Sequence, residues 1–560
     1  MPNVYNSASR ASLKPAWLAA GVLAAVILTC PRDANADKPN FILFLTDDQG
    51  WTDTSVPMIE GRADSKSDFY RTPALERLAR EGMVFSSAYS PAPVCSPTRH
   101  SIQFGKTPAR LRNTCHVKGA AGCPDEISIA SMLKKTDPPY ATAHFGKWGL
   151  SQSPAPEHFD YDQSDGRTNN FHGDWRSTKD RRALPDDDPK RIFSLTKRAA
   201  AFMEEQAGKG RPFYLQVSHY ALHVQHNALP ETIEKYRKLP RGGKCVPADY
   251  DNATPPLNAW ILEYAAMIED MDTGLGMLLE KIDKLGIADN TYVIFVGDNG
   301  GGFRGNKPLR GGKGSVWEGG IRVPMVVRGP GVKPGTYCNV PVTGWDFFAT
   351  FSDLAGNTKP LPQGIDGGSL RLLLENEGKG KVGRPEDHLV FHYPFWSPFG
   401  GKPMTAIRHG DWKLVKEWES GKLHLFNLAD DLGETRDLAE AKPDVAKKLH
   451  AKLTDYLKTV DAEDWQQIRK VQQGQSGGSN EMRRRIDTYL KEAEKDSPRE
   501  LKKRVEQLKR QLAEQNKIRR QSVHSQAPDA NRAWAGANSE CAFLRTVIGN
   551  LEKRLSKIKD

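Results

Sequence analysis

The strongest constraint on the fold comes from short apolar runs that each end in a cluster of polar residues. Phe41–Leu45 is a continuous apolar run that stops at Asp47–Asp48, and a later run over Tyr292–Val296 stops at Asp298–Asn299. Uninterrupted apolar runs of this kind are typical of strands that are buried on both faces of a parallel sheet. Because the carboxyl ends of parallel strands meet at one edge, we expect the polar clusters to lie close together.

The rest of the chain indicates an α/β fold with a large, mixed but mostly parallel sheet flanked by helices. Further apolar runs lie at Tyr140–Phe145, Phe213–Ser218 and Val323–Val327, and an amphipathic helix is predicted over Tyr264–Leu285. Strands that alternate with helices form right-handed βαβ units. From about Leu370, short alternating segments predict a smaller antiparallel α+β subdomain.

Composition shifts divide the chain into five segments. We predict a signal peptide over 1–36, a catalytic domain over 37–370, a C-terminal subdomain over 371–471, a flexible linker over 472–479 and a basic helical or coiled-coil extension over 480–560. The linker prediction rests on the Gln, Gly and Ser content of that stretch. The extension is predicted from apolar residues at coiled-coil spacing after a capping box that begins at Ser497.

The N-terminal segment has the pattern of an export signal. Arg10 and Lys14 precede the apolar run Trp17–Leu28, and the small-x-small sequence Ala34–Ala36 follows. The run is short for a membrane span, and an uncleaved anchor is the alternative. We therefore expect an exported protein, periplasmic or extracellular, that contacts the membrane only if this segment is not cleaved.

The chain has a formal net charge of +11 over 560 residues, and much of this charge lies at its C-terminal end. Residues 481–560 contain 20 Lys and Arg against 12 Asp and Glu. The charge suggests polyanionic partners, although we expect no nucleic-acid partner. Oligomerisation or binding through 480–560 and a solvated appendage without partners are both compatible with this composition.

The cysteines outside the signal segment permit disulfides in an oxidising compartment. Cys115 and Cys123 are close enough to staple one loop, and Cys245 with Cys338 is a second candidate pair. Spacing alone fixes neither pairing.

A candidate nucleophile lies in Val94–Arg99, with the sequence VCSPTR. Proline suits the first turn of a helix, so Pro97 places Cys95 beside a helix N-terminus, where free N–H groups attract anions and lower the pKa of a thiol. Arg99 adds positive charge one turn later, which indicates an anionic ester as substrate. Taken alone, this short pattern fits an ordinary packed or disulfide-bonded cysteine better.

This hexapeptide resembles the maturation signature of the type I sulfatases of the alkaline phosphatase superfamily, and further matching segments extend the resemblance over roughly Asn40–Leu438. In that family, a formylglycine-generating or anaerobic maturation enzyme oxidises the cysteine to Cα-formylglycine, whose aldehyde hydrates to a gem-diol. The resemblance therefore implies this modification at Cys95 and an alkaline phosphatase/sulfatase-like fold.

The acidic residues at the strand ends predict a site for one hard divalent cation. Asp47, Asp48, Asp298 and Asn299 offer only oxygen ligands, and no neighbouring histidine supplies the nitrogen that zinc prefers. Two-zinc phosphatases of the same superfamily carry histidines among these ligands, so Asn299 favours a single hard ion. The resemblance implies Ca²⁺, with Mg²⁺ as the alternative, and makes the modified Cys95 a further ligand.

Three cations and two histidines complete the candidate site. The resemblance implies that Arg99, Lys147 and Lys313 orient the nucleophile and bind the sulfate group, and that His223 contacts and protonates the leaving-group oxygen. His226 takes the place of the family's second histidine and is a candidate substrate contact. Without the resemblance, loop lysines and a histidine after a strand would more often be ordinary loop residues.

One position departs from the family pattern. Sulfatases generally have Gly-Lys-Trp-His where this chain has Gly146–Gly149, so the histidine that hydrogen-bonds the formylglycine hydrate is replaced by Gly149. Three alternatives stay open. His144, His158 or another residue takes over, sulfate release is slower, or the protein is a paralogue that binds more than it cleaves.

We therefore predict a sulfuric ester hydrolase that cleaves sulfate monoesters of a sulfated carbohydrate or an aryl sulfate. As the family implies, one oxygen of the hydrated formylglycine attacks sulfur, and the other expels sulfate as the aldehyde re-forms. A phosphate or phosphonate ester hydrolase of the same fold is the enzymatic alternative. A catalytically weak sulfated-glycan binding paralogue is the non-enzymatic one.

Overall fold

A computed structural model describes residues 38–114, 123–177, 181–240, 255–302, 306–397, 401–475 and 477–524, together with helical residues between 540 and 556. The predicted signal peptide over 1–36 lies outside the described residues. Within the described ranges, no helix combines the length and apolar character that crossing a lipid bilayer requires.

The strands of the described residues form three sheets. They are β1 (Asn40–Thr46), β2 (Met83–Phe85), β3 (Ala88–Tyr89), β4 (Ala141–Gly146), β5 (Gln163–Ser164), β6 (Phe213–Ser218), β7 (Thr291–Gly297), β8 (Met325–Arg328), β9 (Thr336–Cys338), β10 (Val342–Thr343), β11 (Leu389–Tyr393), β12 (Met404–His409), β13 (Trp412–Glu417) and β14 (Leu423–Asn427). The large sheet has eight strands in the order β5-β4-β6-β1-β7-β8-β2-β9. β10 pairs with β3, and the remaining four strands follow the order β11-β12-β13-β14.

Helices connect and cover these sheets. They are α1 (Pro73–Glu81), α2 (Cys95–Phe104), α3 (Ile129–Leu133), α4 (Ile192–Gly208), α5 (Pro230–Lys238), α6 (Pro255–Lys284), α7 (Glu318–Ile321), α8 (Asp346–Leu354), α9 (Arg371–Glu375), α10 (Pro443–Thr459), α11 (Trp465–Gln475), α12 (Gly477–Ala493) and α13 (Pro498–His524).

The centre of the large sheet is parallel and fully buried. β4, β6, β1 and β7 are neighbours, and β1 pairs with β7 in register from Asn40 opposite Thr291 to Thr46 opposite Gly297. β8 then lies antiparallel to β7. Every residue of β1 and β7 is buried, as expected for apolar runs without alternation. The prediction of a mixed, mostly parallel sheet is confirmed.

Alternate side chains of β1 belong to two hydrophobic clusters, one on each face of the sheet. Ile42 and Phe44 pack in the cluster that contains residues of α1, α4 and α6. Phe41 and Leu43 pack in the cluster that contains residues of α2, α3 and α8. The sheet is therefore covered on both faces, which leaves its strand ends as the place for polar residues.

The antiparallel C-terminal subdomain is also confirmed. β12 pairs antiparallel with both β11 and β13, and β13 pairs antiparallel with β14. α10 packs its residues Leu449 and Leu453 in one cluster with Ile407 and Leu414 of this sheet.

The described residues of the C-terminal extension are mainly helical. Leu501 and Leu508 of α13 pack in one cluster with Leu544, which lies in the helical residues between 540 and 556. The capping box is present, because the backbone N–H of Ser497 donates to Oε2 of Glu500 at 2.8 Å.

Two predictions require correction. In the stretch 472–479, predicted to be a flexible linker, residues 472–475 belong to α11 and residues 477–479 to α12, while Ser476 lies outside the described residues. Glutamine has a good helix propensity, and this preference outweighs the flexibility expected from the glycines and serines of the segment.

The second correction concerns the disulfides. Cys123 and Cys338 are free, buried thiols, so neither candidate disulfide forms. Both pack in the same hydrophobic cluster, where cysteine behaves as a small apolar residue; Cys115 and Cys245 lie outside the described residues.

Candidate active site

The candidate active site lies where four neighbouring parallel strands end. The loops after β4, β6, β1 and β7 carry, in that spatial order, Lys147, His223, Asp47–Asp48 and Asp298–Asn299. Backbone hydrogen bonds hold these loops together. The N–H of Lys147 donates to the carbonyl of Ser218 at 2.8 Å, and the N–H of Asp298 donates to the last carbonyl of β1 at 3.0 Å. The predicted clustering of the strand-end residues is therefore present in the structure.

Cys95 is the first residue of α2 and is almost completely buried, with 6% of its surface exposed. Val94 is the N-cap residue in an extended conformation, and Pro97 lies in the first turn. The residue thus sits beside the free N–H groups of a helix N-terminus, where negative charge is favoured.

Arg99 connects the helix to two of the strand-end loops. Its Nε donates to Oδ2 of Asp298 at 2.9 Å, and its Nη1 donates to the carbonyl of Lys147 at 2.6 Å. The side chain is 1% exposed, so its charge acts in a medium with little water.

Two buried lysines each pair with one of the aspartates that follow β1. Nζ of Lys147 lies 2.6 Å from Oδ2 of Asp47, and Nζ of Lys313 lies 2.5 Å and 2.6 Å from the two carboxylate oxygens of Asp48. Burial would raise the pKa of both carboxyls, but the charges of the lysines outweigh it and hold each pKa below its usual value. Both aspartates are therefore ionised.

The residues present fit a hard divalent cation. Asp47, Cys95 and Asp298 each offer one ligand atom, and these atoms lie within 4.8 Å of one another. Oδ1 of Asp47 and Oδ1 of Asn299 are buried and have no hydrogen-bond partner among the described residues. A buried acceptor without a donor is costly, and coordination to a metal would satisfy both atoms. The donor set is rich in oxygen, as calcium and magnesium prefer.

The raised pKa of Asp298 also indicates that a further positive charge would be favoured in this cluster. Burial, followed by the negative charge of Asp47, raises the pKa of Asp298 to about 8, even though Arg99 and Lys147 act in the opposite direction. A dication among these carboxylates would favour their ionised forms.

His223 lies at the edge of the cluster as a neutral ring. Its Nδ1 donates to the carbonyl of Val224 at 2.6 Å, which leaves Nε2 as an acceptor 3.0 Å from Nδ2 of Asn170 and 3.8 Å from Oδ2 of Asp48. Burial, and then the charge of Lys313, lowers the pKa of His223 to about 4. Nε2 is therefore the ring atom that can exchange a proton with a bound molecule.

Sequence comparison decides the family. The profile described as "Sulfatase" matches residues 39–357, which is more than half of the chain. The chain belongs to the sulfatase family. A second profile, described as "N-sulphoglucosamine sulphohydrolase, C-terminal", matches residues 312–461. This sulfatase is accordingly an enzyme that hydrolyses sulfate esters.

Individual proteins resemble the sulfatase over most of its length. It is 27% identical over 516 residues to a sulfatase of Formosa agariphila, which covers 76% of this chain and 90% of that protein. It is 28% identical over 431 residues to the N-acetylgalactosamine-6-sulfatase of Homo sapiens, which covers 68% of this chain and 73% of that protein. The solved structure of Ps i-CgsB in complex with k-i-k-neocarrahexaose has a TM-score of 0.62 and 24% identity, and covers 75% of this chain and 93% of that one. This likeness shows that the fold is shared.

The position that departs from the family pattern has a steric explanation. Gly149 of the sulfatase has φ of +68°, and a Cβ at this position would lie 2.9 Å from Cδ of Arg99 and 3.3 Å from Cε of Lys147. A side chain would therefore strain the backbone and displace two cations of the site. The proposed substitutes for a histidine have other partners. Nε2 of His144 lies 3.2 Å from Oγ of Ser218, and Nε2 of His158 donates to a backbone carbonyl at 2.8 Å.

His226 is placed differently from the other site residues. Its ring packs against Trp260 and Tyr264, with ring centroids 4.3 Å and 5.0 Å apart. Burial, followed by the charge of Lys190, lowers the pKa of His226 to about 3. Its role as a substrate contact stays a prediction.

Asn170 is a site residue that the sequence does not indicate. It lies in a 3₁₀ turn over Asn170–Gly173, within the polar stretch between β5 and α4, and contacts His223 through its Nδ2. A single asparagine in a polar loop gives no signal of this kind, because only the folded chain brings it to the histidine.

Proposed function

We propose that this sulfatase hydrolyses sulfate monoesters of a carbohydrate, using a formylglycine made from Cys95 and a calcium ion held by Asp47, Asp48, Asp298 and Asn299. Magnesium is the alternative ion. The observation that carries the proposal is the buried cluster in which Cys95 lies beside carboxylates and three cations at the strand ends.

The chain's own residues would position the anionic sulfate group of the substrate. Arg99, Lys147 and Lys313 are buried and fixed by their partners, so they do not need to reorganise when negative charge develops on a substrate. When both groups are present, the hydrated formylglycine supplies an oxygen nucleophile that can later release sulfate, and the ion supplies further positive charge. The N-terminus of α2 adds its own N–H groups beside residue 95.

His223 is the group that would exchange a proton with the leaving oxygen. Its Nδ1 hydrogen is committed to a backbone carbonyl, so the exchange takes place at Nε2. Asn170 holds that atom on the side of the site where Asp48 lies. The neutral ring carries its only proton on Nδ1, so His223 would act as a general acid only from its imidazolium form, with the second proton on Nε2. A leaving oxygen within hydrogen-bond reach of Nε2 would receive that proton.

A carbohydrate ester is favoured as the substrate class by the proteins that resemble this chain. The human relative is named an N-acetylgalactosamine-6-sulfatase, and the structure of Ps i-CgsB contains a neocarrahexaose.

Export is part of the proposal. The pattern of charged, apolar and small residues over 1–36 supports a periplasmic or extracellular location. Fractionation of the expressing cells, followed by N-terminal sequencing, tests this point. Recovery of the uncleaved chain in the cytoplasmic fraction would contradict it.

The experiment that tests the activity compares sulfate and phosphate esters of one alcohol. We expect release of nitrophenol from nitrophenyl sulfate to exceed release from the matching phosphate and phosphonate esters. The peptide that contains residue 95 should be lighter by the difference between a thiomethyl and an aldehyde side chain. Cys95→Ala is the control and should release no sulfate. An intact cysteine at position 95 in fully active enzyme would contradict the proposed nucleophile.

A second candidate function has its own supporting observation. The glycine at position 149 and the basic extension favour a catalytically weak protein that binds sulfated glycans. This candidate requires retention on a heparin column together with no sulfate release after calcium loading. Measurable turnover of a sulfated oligosaccharide excludes it.

A further inference from the structure

A cavity opens between the C-terminal sheet and the glycine-rich loop of Lys313, which covers residues 310–317. Its volume is about 360 Å³, within the range of roughly 300–1,000 Å³ that small-molecule sites occupy. The residues on its wall come from two parts of the chain that are far apart in sequence. Arg310, Lys313 and Trp317 belong to the loop, Met404 and Glu417 belong to β12 and β13, and Lys402 lies just before β12.

The cavity adjoins the reaction centre through a shared residue. Lys313 contributes to the cavity wall, and its Nζ also pairs with both oxygens of Asp48. A sugar whose sulfate ester lies among the buried cations would therefore have this cavity beside it. The proposed function assigns no role to it.

The guanidinium group of Arg310 is oriented in the cavity by two neighbouring residues. Its guanidinium carbon lies 3.7 Å from the ring centroid of Trp317, and its Nη1 donates to the carbonyl of Glu434 at 3.2 Å. Among the described residues, Arg310 forms no ion pair with a carboxylate. A planar guanidinium that is stacked and oriented, but not neutralised, is suited to bidentate binding of a sulfate or carboxylate.

The opposite wall provides a second cation and an acceptor. Lys402 lies 3.6 Å from Glu417, and Ser420 donates to Glu417 at 3.0 Å. Burial would raise the pKa of Glu417, but Ser420, Lys402 and His424 outweigh it and keep the pKa below its usual value. The ionised Glu417 can accept hydrogen bonds from sugar hydroxyls, while Arg310 is available for an anionic group.

We propose that this cavity is a subsite that binds a second anionic group of the carbohydrate, in addition to the sulfate ester that is cleaved. Arg310 is the main contact, Lys402 assists it, and Glu417 contacts hydroxyl groups of the same sugar or of its neighbour. This inference rests on the proposed function, which it narrows to carbohydrates with at least two anionic groups near each other. The second group is a sulfate or a uronic acid carboxylate.

Binding to the full-length Cys95→Ala protein tests the subsite separately from turnover. Calorimetry would compare pairs of sugars that share one skeleton. One arm uses pairs that differ by a single sulfate, such as glucosamine 6-sulfate and glucosamine 2,6-disulfate. The other arm uses a sulfated disaccharide with a uronic acid and its carboxyl-reduced form. We expect the second anion to tighten binding about tenfold in one arm, in keeping with a charge-assisted hydrogen bond at a partly exposed site.

The decisive quantity is the affinity ratio within a pair. Adding Arg310→Gln, which keeps a polar side chain but removes the charge, should abolish most of the tenfold gain, and Lys402→Gln should reduce it. Lys333→Gln is the matched control, because Lys333 is exposed, pairs with Glu377 and does not line the cavity. An equal ratio with and without Arg310, or no detectable binding by any pair at millimolar concentration, overturns the subsite. Failure of the wild-type enzyme to hydrolyse nitrophenyl sulfate would instead overturn the proposed function.

Discussion

Individual charges in the active site of this sulfatase are matched almost one to one. Lys147 neutralises Asp47 and Lys313 neutralises Asp48, whereas Asp298 faces Arg99 with a pKa raised to about 8 by burial and by Asp47. The unpartnered oxygen of Asp47 marks the place where a further positive charge is favoured. The stability of the protein should therefore respond to calcium.

Replacing Asp47 with Asn tests this expectation, because it removes one negative charge at nearly constant volume. A ligand that binds only the native state at one hundred times its dissociation constant raises the free energy of unfolding by about 2.7 kcal/mol. We expect calcium to stabilise the wild type by roughly this amount and Asp47→Asn by much less at the same concentration. Urea denaturation with and without calcium provides the measurement. Asp64→Asn is the exposed control, and equal calcium stabilisation of Asp47→Asn and the wild type would rule out the site.

Gly149 and Gly210 form a matched pair for the steric argument. Both have positive φ, +68° and +61°, but a Cβ at 149 would meet Arg99 at 2.9 Å whereas nothing lies within 4 Å at 210. We expect Gly149→Ala and Gly210→Ala each to lose about 1 kcal/mol of stability from backbone strain. Only Gly149→Ala should also lower kcat/KM, by at least about tenfold, because it displaces Arg99. Denaturation and nitrophenyl sulfate kinetics measure the two effects. Equal activity of the two variants would contradict the close approach.

Residues that follow a strand or begin a helix could be predicted from the sequence, because their position depends on local structure. Asp47, Asp298 and Cys95 are of this kind. Asn170 could not be predicted, since its contact with His223 depends on how a long polar segment folds back over the sheet.

At the scale of secondary structure elements, long apolar or periodic segments were predictable and short polar ones were not. β6 lies over the predicted range, and β1, β4 and β7 differ from the predicted apolar runs by one residue at each end. The stretch 472–479 was predicted from composition alone, which does not distinguish a glutamine-rich helix from a linker. Contacts between the C-terminal sheet and the catalytic domain also gave no signal in the sequence.

The ion network at Lys413 is such a contact. Lys413 of β13 lies 2.8 Å from both Glu318 of α7 and Glu434, and all three side chains are fully buried. Burial raises the pKa of Glu434 to about 7, despite the charge of Lys413. The network joins the C-terminal sheet to the helix that follows the glycine-rich loop of Lys313.

Lys413→Met should therefore be strongly destabilising in a pH-dependent way. Removing one partner of a buried ion pair costs about 3–5 kcal/mol. A carboxyl with a raised pKa in the folded state stabilises the protein at low pH and loses this contribution as pH rises through that pKa. Because loss of Lys413 raises the pKa of Glu434 further, we expect the full cost at pH 8 and a smaller one at pH 5. Denaturation at both values measures it, with the 76% exposed Lys379→Met as control. A cost that does not change with pH would contradict the role of Glu434.

At the scale of the whole molecule, the extension has a core of its own. Apolar residues of α12, α13 and the helical residues between 540 and 556 form one cluster without members from the catalytic or C-terminal sheets. Ion pairs of the described extension, such as Arg485 with Glu540 and Lys509 with Glu552, also stay within it. The family profiles end at residue 461, and α11 still packs on the C-terminal sheet through Ile468. The boundary that matters for folding is therefore after α11.

Deletion of residues 477–560 should leave the enzyme folded and active. The deletion removes a separate cluster and the most basic part of the chain, while the large sheet, the C-terminal sheet and α11 keep their contacts. We expect the unfolding temperature of the catalytic domain and kcat/KM for nitrophenyl sulfate to match those of the full chain. Retention on a heparin column should fall to a lower salt concentration, because fewer cations are available to displace counterions from the polyanion. A chain shortened further, at residue 464, is the control that loses Ile468 and should be less stable. If deletion of 477–560 instead lowers turnover of the small substrate, the extension contributes to the active site and the two parts of the protein do not act independently.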